Sequence, residues 1–387
     1  MHKFNLDKDT DRNNTNSFKW NARNLESESG KLYPMWVADM EFEVAPGIRE
    51  ELGKRMDEGV FGYELLSDRY YNAVKHWLKK RHDCDVERER IVYCANTMVA
   101  LSVIIQTYTN PGDEILLNTP AYGNFFTTIE GCRRSVERSP LTLVDDRFTF
   151  NIADMETKVT QNTRAFLLCN PHNPNGTVWS EEELRMLCEF CQRHNMFMIS
   201  DEVHYDFCFQ KHTMLMKVAE DYDISVFTLI SPGKSFNLAG LQSANIIAPD
   251  ANESNKLVST ISSMQYPFEH AFVEAATIGA YIKSENWFDA VYDYIRVNRE
   301  LLITCINESC SKLRVHVSEA TYLLWVDCTA MELDDDAILD FWRNEIGIIP
   351  SCGLEFGIEG SGYVRLNLAC QRSHIEAIVS KLKQLDI

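Results

Sequence analysis

The chain has 387 residues, 45% of them hydrophobic and 25% charged, and a formal net charge of −19. The length allows two or three domains, or one large domain with a smaller one, and the composition is that of a soluble globular protein. Such acidity argues against a nucleic-acid or anionic-membrane partner, and no apolar run is long enough to span a bilayer. In chain order, the opening Met1-His2-Lys3-Phe4-Asn5-Leu6-Asp7-Lys8 has no apolar signal core. The segment 1–45 is polar and irregular, and is assigned to a smaller domain or a subunit contact.

From residue 90 the chain alternates between strand-like and helix-like segments. Residues 90–94 are expected to form a strand, 97–108 a helix, and 114–118 and 164–169 two further strands. Ser180-Glu181-Glu182-Glu183 is a capping box, opening a helix that runs to about Asn195. That helix contains Cys188-Glu189-Phe190-Cys191. With no second Cys/His pair, these are read as two packed core thiols rather than metal ligands. The 12 cysteines show no short-chain disulfide spacing, so a reducing, cytoplasmic setting is expected. Strands at 196–200 and 226–230 follow. Strands separated by helices at this spacing indicate βαβ units and a largely parallel sheet. Beyond about Ile282 the pattern changes: a long helix at 287–313, a strand at 321–326, a helix at 336–346, a strand at 362–368 and a helix at 373–385. A large domain at 46–285 and a smaller α+β domain from 1–45 and 286–387 are expected.

Residues just past the carboxyl ends of parallel strands line a ligand crevice. Asp201 follows the strand at 196–200, and Lys234 lies in Ser231-Pro232-Gly233-Lys234, a tight turn after the strand at 226–230. A lysine that forms a Schiff base and a carboxylate that pairs with a pyridinium nitrogen are what pyridoxal phosphate needs most from a protein. The turn Ala95-Asn96-Thr97-Met98 leads from a strand into a helix start, a ready anion site. Ser231 adds a hydroxyl that could serve the same anion. The rigid loop Asn170-Pro171-His172-Asn173-Pro174-Asn175-Gly176 and the aromatic Tyr122 follow two other strands. Arg365 sits inside an apolar strand, where its guanidinium needs either a structural carboxylate or a substrate carboxylate. Taken singly, each has an ordinary structural reading: a solvated lysine, a turn serine, a packed tyrosine.

Together the stretches Met35-Trp36-Val37-Ala38-Asp39-Met40-Glu41-Phe42, Val60-Phe61-Gly62-Tyr63, Asn118-Thr119-Pro120-Ala121-Tyr122, Asn170 to Gly176, Ile199-Ser200-Asp201-Glu202-Val203-His204, Lys234-Ser235-Phe236-Asn237 and Tyr363-Val364-Arg365-Leu366-Asn367 form a pattern. The pattern resembles the fold-type I pyridoxal-phosphate enzymes, and within them the cystathionine β-lyase / C–S β-lyase (MalY-like) branch of the class I/II aminotransferase superfamily. The resemblance implies an α/β, aspartate-aminotransferase-like fold with pyridoxal 5'-phosphate bonded to Lys234. It implies Asp201 on the ring nitrogen, Asn173 on the ring hydroxyl and Tyr122 stacked on the ring. His204 is placed beside that hydroxyl, where transaminases usually carry a tyrosine. The phosphate goes to Asn96, Thr97, Met98 and Ser231. Tyr63 reaches the same phosphate from the second subunit of a homodimer, and Arg365 with Ala38 holds the substrate, a sulfur amino acid. Gly233 and Gln242 depart from the family by standing where many relatives carry a phosphate-binding serine and arginine. The implied reaction releases a thiol, pyruvate and ammonia. Two rivals are an aminotransferase with the same cofactor contacts and a regulatory binding protein with incidental lyase activity.

Overall fold

The computed structural model describes residues 4–13, 15–27, 30–264 and 269–385. A seven-stranded sheet runs in the order Ile91–Cys94, Ala244–Ile247, Val226–Ile230, Phe197–Asp201, Thr163–Cys169, Glu114–Thr119, Ser135–Pro140. Only Ala244–Ile247 is antiparallel to its neighbours, and it is a strand the apolar pattern did not reveal. All five residues of Val226–Ile230 are buried, as expected of a strand covered on both faces. Helix Glu181–Arg193 begins where its capping box predicts, and helix Thr97–Tyr108 spans the residues expected for it. Asn96 Oδ1 accepts the Val99 amide at 3.0 Å, and Ser180 and Glu183 form the reciprocal capping box. Cys188 and Cys191 are fully buried in the core, and all 12 cysteines are free thiols. The strand expected at 196–200 runs one residue further, so Asp201 is its last residue rather than the first beyond it.

A second sheet, antiparallel, joins Leu323–Asp327, Tyr363–Asn367 and Ser351–Cys352. Its apolar face packs with helices Glu285–Ser309 and Arg372–Leu382 in a separate core around Trp342, Leu324 and Leu366. The long helix stops at Ser309, short of the expected 313, because the chain turns there and Arg314 bridges to Asp327 in extended form. Leu313 is still buried in this second core, so its hydrophobicity marked packing and not helix. The helix expected at 336–346 is α over Asp335–Phe341 and π over Trp342–Ile346, ending at Gly347 with φ +81°. The N-terminal segment packs on both cores: Leu6, Met40 and Phe42 on the first, Met35 on the second. Among the described residues no helix is long and apolar enough to cross a membrane, and no cluster of ligating side chains could hold a metal ion.

Candidate active site

Because every strand of the large sheet except Ala244–Ile247 points the same way, their carboxyl ends open at one edge. A cavity of about 600 Å³ lies there. Every predicted site residue except Tyr63 lines it: Ala38, Asn96, Thr97, Met98, Tyr122, Asn173, Asp201, His204, Ser231, Lys234 and Arg365. Gly233 and Gln242 line it too. The turn that presents Lys234 is a four-residue helix, Pro232–Ser235, capped by Ser231 and started by proline, whose missing N–H and fixed φ suit a first helical position. Ser231 Oγ accepts the Gly233 amide at 2.9 Å and donates to Ser243 O at 2.6 Å, so its hydroxyl hydrogen is committed within the turn. Asn96 likewise spends its side chain on capping. The amides of Thr97 and Met98, in the first turn of their helix, have no intrahelical acceptor and carry the positive end of its dipole.

Three charged groups meet in this cavity, and none of them forms a salt bridge among the described residues. Lys234 donates from Nζ to Ala38 O at 2.7 Å, and burial, with help from the Arg365 charge, lowers its amine to about 8. Asp201 accepts the Val203 amide at 3.2 Å. Burial raises its carboxyl to about 6, against the lowering effects of that amide and of Lys234. Arg365 donates to Asn173 Oδ1 at 2.9 Å and Trp36 O at 3.0 Å, lies 4.6 Å from the Phe356 ring centroid, and is lowered to about 10 by burial. Its neighbours are thus neutral acceptors and a ring, and the structural salt bridge considered from sequence does not form. His204 is held far below the usual imidazole range by burial and by the Lys234 and Arg365 charges, so a neutral ring faces the cavity. A buried charge without a partner costs several kcal/mol, so such sites imply bound counter-charges.

Residues 36–40 form a strap across the cavity, held by its carbonyls. Trp36 O accepts Arg365 and Ser351, Val37 O and Asp39 O both accept Asn367 Nδ2 at 2.6 Å, and Ala38 O accepts Lys234 and the Tyr322 hydroxyl. Asn237 brackets Met40, accepting its amide at 2.9 Å and donating to its carbonyl at 3.1 Å. Beneath the strap, Lys19, 1% exposed, pairs with Glu41 at 2.6 Å and Asp39 at 3.3 Å, and Arg12 pairs with the same two carboxylates. Sequence reading missed Arg12, Lys19, Tyr322 and Asn367. Only Asn367 left a signal: it lies two residues after Arg365 on the same strand, hence on the same face. Tyr63 lies away from this chain's cavity, 86% exposed, in a stretch with Val60, Phe61 and Leu65 also exposed.

A mostly parallel sheet presenting a lysine and an aspartate, facing an arginine from a second antiparallel sheet, defines an aminotransferase-like enzyme fold. The chain belongs to the class I and II aminotransferase family, whose model matches residues 46–382. It is 33% identical to cystathionine beta-lyase PatB of Bacillus subtilis, with 98% of this chain and 99% of that protein covered. A solved structure from Clostridium difficile 630 with bound pyridoxal phosphate, named provisionally as an aminotransferase, is 34% identical with a TM-score of 0.92, covering 98% of this chain and 99% of that one. The pyridoxal-phosphate-bound C–S lyase of Staphylococcus hominis is 29% identical with a TM-score of 0.89, covering 98% of each chain.

Proposed function

We propose that the protein is a pyridoxal-phosphate-dependent C–S β-lyase that cleaves cystathionine or related S-substituted cysteines to a thiol, pyruvate and ammonia. The observation that carries this reading is the set of buried charged groups that form no salt bridge. Asp201 calls for a cationic ring nitrogen, Arg365 for a carboxylate, and Lys234 offers an amine that burial makes easier to deprotonate. Pyridoxal phosphate with an amino acid supplies those complements, so the residues present fit the group. Lys234 would bond it, Asp201 would pair with its ring nitrogen, and Asn173, His204 and Tyr122 would surround the ring. The amides of Thr97 and Met98, with Asn96 and Ser231 beside them, would hold its phosphate.

When bound, the cofactor supplies an electron sink for the pair left at the substrate's Cα. Arg365 binds the substrate's α-carboxylate with its two terminal nitrogens, orienting the Cα–H bond toward Lys234. Ala38 O receives a hydrogen bond from the lysine amine and so fixes its position. Lys234 Nζ, neutral above about pH 8, takes the proton from Cα. His204, kept neutral, adds no charge to compete with that transfer. The thiolate on Cβ then departs, and hydrolysis of the remainder yields pyruvate and ammonia.

Relatives named cystathionine beta-lyase and C–S lyase over nearly the whole chain support the lyase reading. The aminotransferase reading draws on the family and on the Clostridium difficile structure's name. The discriminating assay is pyruvate release from cystathionine without a keto acid: release supports the lyase, and strict dependence on a keto acid establishes the aminotransferase. The proposal includes a homodimer in which the partner's Tyr63 reaches the phosphate. The exposed Val60, Phe61, Tyr63 and Leu65 supply an apolar strip for that contact. A monomer at micromolar concentration by sedimentation would refute it. Twelve free thiols fit a reducing cytoplasmic setting, and the chain divides into a large cofactor-binding domain at 46–285 and a smaller domain from 1–45 and 286–387.

A further inference from the structure

Beyond Arg365 the cavity opens toward solvent, and its wall there is built from groups the reaction does not use. Trp36, whose carbonyl holds Arg365, carries Phe18 on its ring at 5.1 Å between centroids and the Arg23 guanidinium 4.0 Å from its centroid. Phe18 is 69% exposed yet lines the cavity, which places it at the mouth. Glu355 also lines the cavity and pairs with Arg23 at 2.8 Å, the two side chains being 42% and 31% exposed. Arg23 further donates to Pro350 O at 3.2 Å, and the Cys352 amide donates to Glu355 at 3.3 Å, so the pair is fixed from both sides. Phe18, Trp36 and Glu355 thus line one cavity with Arg365, and Arg23 contacts two of the three.

We propose that Glu355, backed by Arg23, is a specificity-determining residue that selects thioethers whose leaving group ends in a second α-amino acid head. The apolar thioether chain lies along Trp36 and Phe18. The distal ammonium pairs with Glu355 and the distal carboxylate with Arg23, each partly replacing the charge the two residues now give one another. A leaving group that ends in an alkyl chain meets only the rings and receives nothing from the pair. The arrangement therefore separates zwitterion-ended substrates from S-alkyl cysteines by electrostatics at the mouth, leaving Lys234 and Asp201 untouched.

This inference rests on the lyase reading, and its test keeps the two apart. Pyruvate release by the holoenzyme is measured with cystathionine and with S-ethylcysteine for the native chain, Glu355→Gln, Arg23→Gln and the charge swap Arg23→Glu/Glu355→Arg. No release from either substrate by the native chain defeats the lyase reading itself. With the lyase reading intact, Glu355→Gln is expected to lower the kcat/KM ratio of cystathionine over S-ethylcysteine about two- to fivefold, through KM, as for one partly exposed charge contact. Arg23→Gln is expected to lower the ratio in the same direction. The charge swap keeps the tie between the two segments but reverses the field met by the distal head, so the ratio stays low. Equal loss on both substrates, or a ratio restored by the swap, would overturn the proposal and reduce the pair to a structural tie. An unchanged ratio in Glu355→Gln would overturn it as well. Thermal unfolding of each variant with cofactor bound identifies any loss that is merely one of folding.

Discussion

The floor of the cavity and the strap above it are built in opposite ways. On the floor, Thr97, Tyr122, Asn173, Asp201 and Lys234 each sit at or just after the end of a strand, and the parallel sheet alone brings them together. In the strap, the chain supplies little but backbone carbonyls at 36–40, and the side chains that hold them come from far away: Lys234, Tyr322, Arg365, Asn367. The floor is local structure repeated five times. The strap is tertiary structure, made stable by Lys19 and Arg12 paired with Glu41 and Asp39, of which Lys19 and Glu41 are buried. Chemistry is assigned to the floor and alignment to the strap, so damage to the two should differ in kind.

The largest expected effect is on the floor. Lys234→Ala should lose at least about 10²–10⁴-fold in pyruvate formation, the range for removing a positioned proton-transfer group, with the fold unchanged by circular dichroism. Substantial residual turnover would refute the assignment. Next, Arg365→Met should cost about 2–4 kcal/mol, or roughly 30- to 1000-fold in kcat/KM, the loss typical of removing one partner of a buried charge-assisted pair. Steady-state kinetics with S-substituted cysteines should show most of that loss in KM. In the strap, Lys19→Met should act on stability first. It leaves Asp39 and Glu41 with Arg12 alone, and losing one partner of a buried ion pair costs about 3 kcal/mol. Calorimetry should show a lower Tm at pH 7, and holoenzyme kcat should fall less than Tm implies for a floor variant.

The smallest expected effect is a pH dependence. Burial lowers Lys234 to about 8, and the neutral amine is the form that bonds the cofactor. Capture of pyridoxal phosphate by cofactor-free protein should therefore speed up as pH rises through about 8, by about tenfold between pH 7 and 9, then level off. Stopped-flow absorbance gives the rate. A rate that falls over this range, or one that climbs only above pH 10, would contradict the placement.

The contrast also explains what was legible in the sequence. Strand ends are marked by apolar runs and by the Gly, Pro and Asn that follow, so the floor could be read one turn at a time, including the helix start at Thr97 and the Ser180 capping box. Arg365 was visible because a guanidinium inside an apolar strand is conspicuous. Lys19 was not, because nothing in the polar stretch around it signals that it is buried against carboxylates 20 and 22 residues away. The strand Ala244–Ile247 escaped because four residues carry too little pattern, and the helix end at Ser309 because Leu313 is apolar for the sake of the second core. Ser231 was identified by position, but only the coordinates show its hydroxyl hydrogen directed to Ser243.

The central claim is that Lys234 is the residue to which the cofactor bonds. Borohydride treatment of the holoprotein, followed by peptide mass mapping, tests it most directly. The account predicts loss of the visible absorption band and a pyridoxyl group on the peptide containing Lys234 and on no other. A stable label on a different lysine, or a cofactor-loaded protein that takes no label, would contradict it.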